Sequence, residues 1–323
     1  MPASVPPATP PMVLVVQPDA SDPVGRVGEW LRASGARLDI RAIDQGASLP
    51  DDLDGYAAFV VLGGAAGATE EAHETSLAPV RALLRVAVQR EVPTLAICLG
   101  AQLLAIANGG RVGPNPEGPE FGAGLIAKRA AAATDPLFGD LPITPDVVQW
   151  HFDAVTQLPP GAQVLFASPV CEVQAFRLGR LAWGIQFHIE TSPEVVRAWA
   201  AEDAAYLDGY DVAALLARVD DTDADVAEAW RPVVESFAAI VHDPSRVAAG
   251  RTVAVSTAQP LTDPAAIRAA LAAELSAARV PHADVAPHGA AVQLPMPAPR
   301  LTGPDAPAGD DVPGTPQTGE HGG

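Results

Sequence analysis

The chain has 323 residues, 48% of them hydrophobic, enough for one large domain or two small ones around a sizeable packed core. A formal charge of −19 excludes nucleic acid and anionic membrane as natural partners, since both would repel it, and leaves a small molecule or another protein. With only two cysteines, Cys98 and Cys171, a disulfide framework is excluded and a reducing cytoplasm is the expected compartment; no apolar run approaches the roughly 20 residues needed to span a bilayer.

The first hundred residues alternate apolar runs with helical patterns, as a parallel sheet covered on both faces does. Met12–Gln17 is predicted as a buried strand, Val24–Ser34 as a helix, and Leu38–Ala42 and Ala58–Leu62 as strands. Leu77–Gln89 follows as a helix. Thr94–Ile97 is then a strand that runs directly into a helix over Leu99–Ala107. Residues 1–11 carry no basic start of a signal peptide and are expected to be a disordered segment.

From Gly109 to His188 the pattern changes to short extended pieces separated by Pro and Gly: Leu125–Lys128, Asp146–His151, Gln163–Ala167, Gln174–Leu178 and Leu181–Phe187. Ser192 opens a helix with Pro193 in its first turn, running to about Leu207, and further helical stretches cover Val212 to Val241. The main domain is placed at 12–244. Residues 245–285 are read as an extension, with a strand at Thr252–Ser256 and a helix at Pro264–Ala278. Residues 286–323 are too rich in Pro, Gly and Asp to offset the entropy of ordering and are expected to be a disordered tail.

The strongest chemical signal is Ala96-Ile97-Cys98-Leu99-Gly100-Ala101-Gln102, set where a strand ends and a helix begins. Small residues on either side let the backbone fold tightly around Cys98, so its side chain projects at the strand's carboxyl end as in a nucleophile elbow. The helix N-terminus favours a thiolate there. A buried cysteine is otherwise a plain core thiol, and Cys171, which fits no such setting, is read as a small hydrophobe.

A thiol nucleophile needs a base held by an acceptor, and Gly184-Ile185-Gln186-Phe187-His188-Ile189-Glu190 offers both. Residues two apart in a strand share a face, so His188 and Glu190 can act together if the strand persists that far. Alone, a His-x-Glu pair is commonplace. Backbone donors for an oxyanion are expected from the Gly63-Gly64 turn after a strand, specifically at Gly64, and from the N–H of Leu99.

Taken in order, Gly63-Gly64, Cys98-Leu99-Gly100-Ala101-Gln102, Gln149-Trp150-His151-Phe152-Asp153, Gln174-Ala175-Phe176-Arg177 and Gln186-Phe187-His188-Ile189-Glu190 resemble the class I glutamine amidotransferases, especially stand-alone members similar to the amidotransferase domain of GMP synthase. The resemblance spans roughly Val13 to Ala200. It implies an α/β fold with an open, mostly parallel, flavodoxin-like sheet flanked by helices. It also implies a Cys98–His188–Glu190 triad that hydrolyses the glutamine side-chain amide through a γ-glutamyl thioester, without cofactor or metal. Substrate contacts implied by the same resemblance are Gly63, Gln102, Glu120, Gly122 and His151. Two departures stand out: Ala65 replaces the proline usual after the glycines, and Ala96 replaces a glycine.

No Ser-Gly-Gly signature of an ATP pyrophosphatase follows Glu190. The ammonia is therefore expected to go to a separate synthetase subunit. Two alternatives stay open: a hydrolase of γ-glutamyl peptides or γ-glutamyl amines with the same triad, and an inactive binding module that keeps the fold.

Overall fold

The computed structural model describes residues 9–70 and 73–247. The strand expected at Thr252–Ser256, the helix at Pro264–Ala278 and the tail over 286–323 lie outside the described residues.

The chain begins with strand β1 (Met12–Gln17), helix α1 (Gly25–Ala33), and strands β2 (Arg37–Ala42) and β3 (Ala58–Val61). Helix α2 (Glu74–Gln89), strand β4 (Thr94–Ile97) and helix α3 (Leu99–Ala107) follow. β1, β3 and β4 are apolar runs with both faces covered, which is why their sequences lack the alternation of a half-exposed strand. β2 is half-exposed, as suits its place at the sheet edge. Pairing begins one residue before the expected start, because Arg37 N–H donates to the carbonyl of Pro11, so the 1–11 segment is not wholly outside the fold.

The middle of the chain supplies eight more strands: β5 (Arg111–Pro114), β6 (Glu120–Leu125), β7 (Ala127–Lys128), β8 (Asp146–His151), β9 (Asp153–Gln157), β10 (Ala162–Ala167), β11 (Ala175–Leu178) and β12 (Ala182–Ile185). The main sheet runs β2-β1-β3-β4-β12-β11-β10-β7. It is parallel from β2 to β12 and antiparallel from β12 to β7. β5 pairs with β9 and β6 with β8 as separate ribbons. β5 and β9 had no counterpart in the sequence reading. What reads as one strand at Leu125–Lys128 is the end of β6 followed by the two-residue β7.

Helices α4 (Pro193–Glu202) and α5 (Val212–His242) close the described chain. α4 stops at Glu202, short of the Leu207 expected. The helical stretches expected over 212–241 form one continuous helix of 31 residues, with Pro232 inside it. Alternating side chains of the central strands feed two cores. Val13, Val60 and Ile97 pack with Leu31 of α1 and with Trp230 and Phe237 of α5. Leu14, Phe59 and Val61 pack with Leu84 of α2 and Leu104 of α3. This is a mostly parallel sheet covered by helices on both faces, as the sequence predicts. No described helix is long and apolar enough to cross a membrane.

Candidate active site

Three neighbouring strands, β3, β4 and β12, end on the same edge of the sheet, and their carboxyl ends build the site. Cys98 follows β4 with φ 50° and ψ −111°, a left-handed setting that a side chain with Cβ rarely adopts. The strain is held by packing: a Cβ on Gly100 would lie 2.3 Å from the Val61 carbonyl oxygen, so only glycine lets α3 start this close to β3. Leu99 is the first residue of α3, where a helix has no internal acceptor for its N–H. Gly64 packs against the Leu99 side chain and lines the same cleft of about 110 Å³.

β12 stops at Ile185, so His188 and Glu190 are not aligned by strand periodicity as the sequence suggests. His188 is instead fixed by an isolated antiparallel bridge to Val148, its N–H donating to the Val148 carbonyl at 2.7 Å. The chain then turns so that Glu190 Oε1 sits 2.6 Å from His188 Nδ1, while Oε2 accepts the Ile189 N–H at 2.9 Å. α1 anchors this turn from outside. Arg26 N–H donates to the Glu190 carbonyl, and a Cβ on Gly25 would lie 2.0 Å from that same oxygen. The Trp199 ring of α4 lies 4.8 Å from the imidazole, centroid to centroid.

His188 is fully enclosed, and burial by itself depresses its pKa. The interaction with Glu190, followed by that with Cys98, outweighs burial and holds the imidazole well above its ordinary value near 6.5. With Nδ1 taken by Glu190, Nε2 is the ring nitrogen left to exchange a proton with Cys98 or a reacting group. The thiol itself lies 3.9 Å from the Trp150 carbonyl and accepts from Gln186 Nε2 at 3.6 Å.

Of the expected substrate contacts, Gln102 and His151 line the cleft. Gly63, Glu120 and Gly122 do not. Gly63 makes room for the imidazole, since a Cβ there would approach His188 Cε1 to 3.2 Å. Glu120 lies behind His151, its oxygens taken by His151 Nε2, Ser168 Oγ and Gln174 Nε2. Gly122, at φ +83°, packs against Leu215 of α5. The sequence reading passed over Asp22, Glu70 and Asp203, which make the cleft wall acidic together with Asp153. Burial first, and then the charge of Glu70, raise the pKa of Asp153, whose Oδ1 is buried without a partner.

One atom each from Glu120, His151 and Cys171 falls within 4.8 Å of the others, the only such metal-capable group of three among the described residues. These atoms are already committed. His151 Nδ1 pairs with the Asp153 carbonyl and Nε2 with Glu120, while burial, aided by the charge of Glu120, pushes the Cys171 thiol up to about 12. A protonated thiol inside a satisfied network is a structural element and not a ligand set.

A strained cysteine at a strand-to-helix elbow, beside a buried histidine–carboxylate pair on a doubly covered α/β sheet, defines the class of cysteine–histidine α/β proteins. The comparisons are more specific. The sequence profile described as "Glutamine amidotransferase class-I" matches residues 27–202, and the chain belongs to that family. One of the subunits of the glutamine-hydrolyzing GMP synthase of Natronomonas pharaonis is 36% identical over 116 residues, covering 35% of this chain and 58% of that protein. Aminodeoxychorismate synthase of Streptomyces griseus is 38% identical over 108 residues, covering 33% of this chain and 14% of that protein. The chain thus matches less than two thirds of the length of either relative. A glutamine amidotransferase of Thermotoga maritima superposes with a TM-score of 0.63 at 28% identity, covering 71% of this chain and 98% of that structure.

Proposed function

We propose that this chain hydrolyses the side-chain amide of glutamine to glutamate and ammonia through a γ-glutamyl thioester on Cys98, and that a separate synthetase subunit takes the ammonia. The observation that carries this is the Cys98 elbow beside a fully buried His188 whose Nδ1 is held by Glu190 at 2.6 Å. The Cys98 thiolate attacks the amide carbon, and the oxyanion falls to the N–H groups of Gly64 and Leu99. The His188 imidazolium then gives its proton to the departing nitrogen, which leaves as ammonia. Water next adds to the thioester, surrendering a proton to His188, and the C–S bond breaks to release glutamate and restore the thiolate. Gln102 binds the glutamyl head group, His151 shapes the cleft wall with both ring nitrogens held by the Asp153 carbonyl and Glu120, and the unpartnered Asp153 oxygen suits the α-ammonium.

The acidic wall of Asp22, Glu70 and Asp203 favours one second reading, in which the same triad releases a cationic amine from a γ-glutamyl amine. A panel of glutamine and several γ-glutamyl amines, read as free glutamate and free amine, separates the two. Glutamine turnover is expected to be abolished by Cys98→Ser, and an electrophilic glutamine analogue is expected to label Cys98 and spare Cys171. Label on Cys171 alone, or turnover that survives Cys98→Ser, would overturn the assignment. A γ-glutamyl amine preferred by orders of magnitude would select the second reading.

A further inference from the structure

A chain of hydrogen bonds beneath the nucleophile has a polarity that one backbone group dictates. It starts at the carbonyl of Asp153, which can only accept. Gln102 Nε2 donates to that oxygen at 3.1 Å and to Gln186 Oε1 at 3.2 Å, and Gln186 Nε2 then reaches the Cys98 sulfur at 3.6 Å. The two ends of a glutamine amide are told apart by their partners. Turning Gln186 over would set its NH₂ against the NH₂ of Gln102 and its oxygen against the sulfur. Turning both would set the Gln102 oxygen against the Asp153 carbonyl. Only one arrangement satisfies every group, and it aims an N–H at the sulfur.

All three side chains are buried, with Gln102 5%, Gln186 2% and Cys98 7% exposed, so water does not compete for these bonds. Besides the His188 imidazole, which is coupled to the Cys98 side chain, the sulfur's polar neighbour is the Trp150 carbonyl at 3.9 Å, an acceptor suited to the S–H of the neutral thiol. The neutral thiol therefore has a carbonyl to donate to, and the thiolate has the Gln186 amide N–H in addition to the His188 imidazolium.

We propose that Gln186 is a catalytic residue whose side-chain N–H stabilises the Cys98 thiolate, with Gln102 as the positioning residue that fixes the direction of its amide. The inference rests on the reading of Cys98 as the nucleophile. Its largest effect falls on breakdown of the thioester. After water has added and its proton has passed to His188, the C–S bond breaks and the electron pair leaves on sulfur, where the Gln186 N–H receives it. Without that donor the thiolate is a poorer leaving group and the acyl-enzyme lives longer.

The test uses the full chain and two variants: Gln186→Met, which keeps length without a donor, and Gln186→Glu, which keeps shape but places oxygen against the sulfur. The alkylation rate of Cys98 by iodoacetamide at pH 6.5 is expected to fall about 10- to 100-fold in both, the range for losing a hydrogen bond to a charged group. Intact mass after acid quenching during glutamine turnover is expected to show a larger γ-glutamyl-enzyme fraction than in the parent, which a merely structural residue would not produce. If Cys98 of the parent resists alkylation, the proposed function fails. If the parent reacts and the folded variants react within threefold of it, with no extra acyl-enzyme, the role of Gln186 is overturned. Should neither variant give a native circular dichroism spectrum, Gln102→Met, which frees the Gln186 amide to turn, carries the same expectation and the same refutation.

Discussion

At His188 three effects compete, and their order decides the resting state of the site. Burial favours the neutral ring, while Glu190 and then Cys98 favour the imidazolium and win. A histidine with a raised folded pKa binds a proton in the native state over a pH range where the unfolded chain has released it. Its contribution to stability is therefore complete below about pH 6.5 and is lost as pH rises through the folded value. Glu190→Gln removes the leading favourable charge and leaves burial unopposed by it, so the urea midpoint of the parent is expected to drop between pH 6.5 and 9 relative to that of the variant. Turnover is expected to fall on the order of 10²–10⁴-fold, since the imidazole loses both its orienting acceptor and its charge partner. Parallel stability profiles together with turnover within threefold of the parent would make Glu190 a bystander. The triad candidates were legible because a nucleophile and its base are rare residue types in particular settings. Gln186 was not, because a glutamine in an apolar strand end looks structural until its amide is seen to point at sulfur.

At the scale of elements, the parallel half was readable because its strands are buried on both faces and its helices bury one face, so residue type reports burial directly. β5 and β9 escaped notice because Arg111-Val112-Gly113-Pro114 is half-exposed and Asp153–Gln157 ends in exposed residues, so neither offers a clean period of two. The end of β12 was placed too late for the opposite reason. Phe187 and Ile189 are as apolar as the strand before them, yet they are buried in a turn-linked segment tied to β8 by one bridge. The joint between β4 and α3 is the element on which the site depends most. Gly100→Ala would force a Cβ to within 2.3 Å of the Val61 carbonyl, so α3 must retreat from β3 or the elbow must open. The expected loss is about 1–3 kcal/mol of stability, typical of overpacking, with a larger loss of Cys98 alkylation because the sulfur moves with the helix. Unchanged alkylation in a destabilised variant would show that the elbow geometry is set by β4 alone.

For the whole molecule, the question is where the folding unit ends. The sequence reading put the boundary near Pro244, where helical periodicity stops, but the described fold reaches three residues further. α5 crosses the molecule, linked to β8 through Trp230 Nε1 and the Asp146 carbonyl and to α1 through the Arg26–Asp223 ion pair. The segment after α5 returns to the sheet. Val247 is 7% exposed and belongs to the core shared by α1 and α5, and Arg180, just before β12, donates to the carbonyls of both Pro244 and Val247. Neither tie is visible in the sequence, because a single valine after a proline turn carries no period and Arg180 is 64 residues away from the first of its two acceptors. Chains cut after Val247 and after Pro244 should therefore differ. The first keeps every described contact and is expected to match the full-length protein in urea midpoint and in Cys98 alkylation. The second loses a buried valine, one charge-assisted hydrogen bond and the exposed hydrogen bonds of Ser245 and Arg246 to Asp243, a loss of about 2–4 kcal/mol. Because Arg180 sits at the start of the strand whose far end leads to His188, that cut should also slow alkylation measurably. Equal stability of the two chains would return the boundary to Pro244, and a large loss in the Val247 chain would make residues beyond 247 part of the same folding unit.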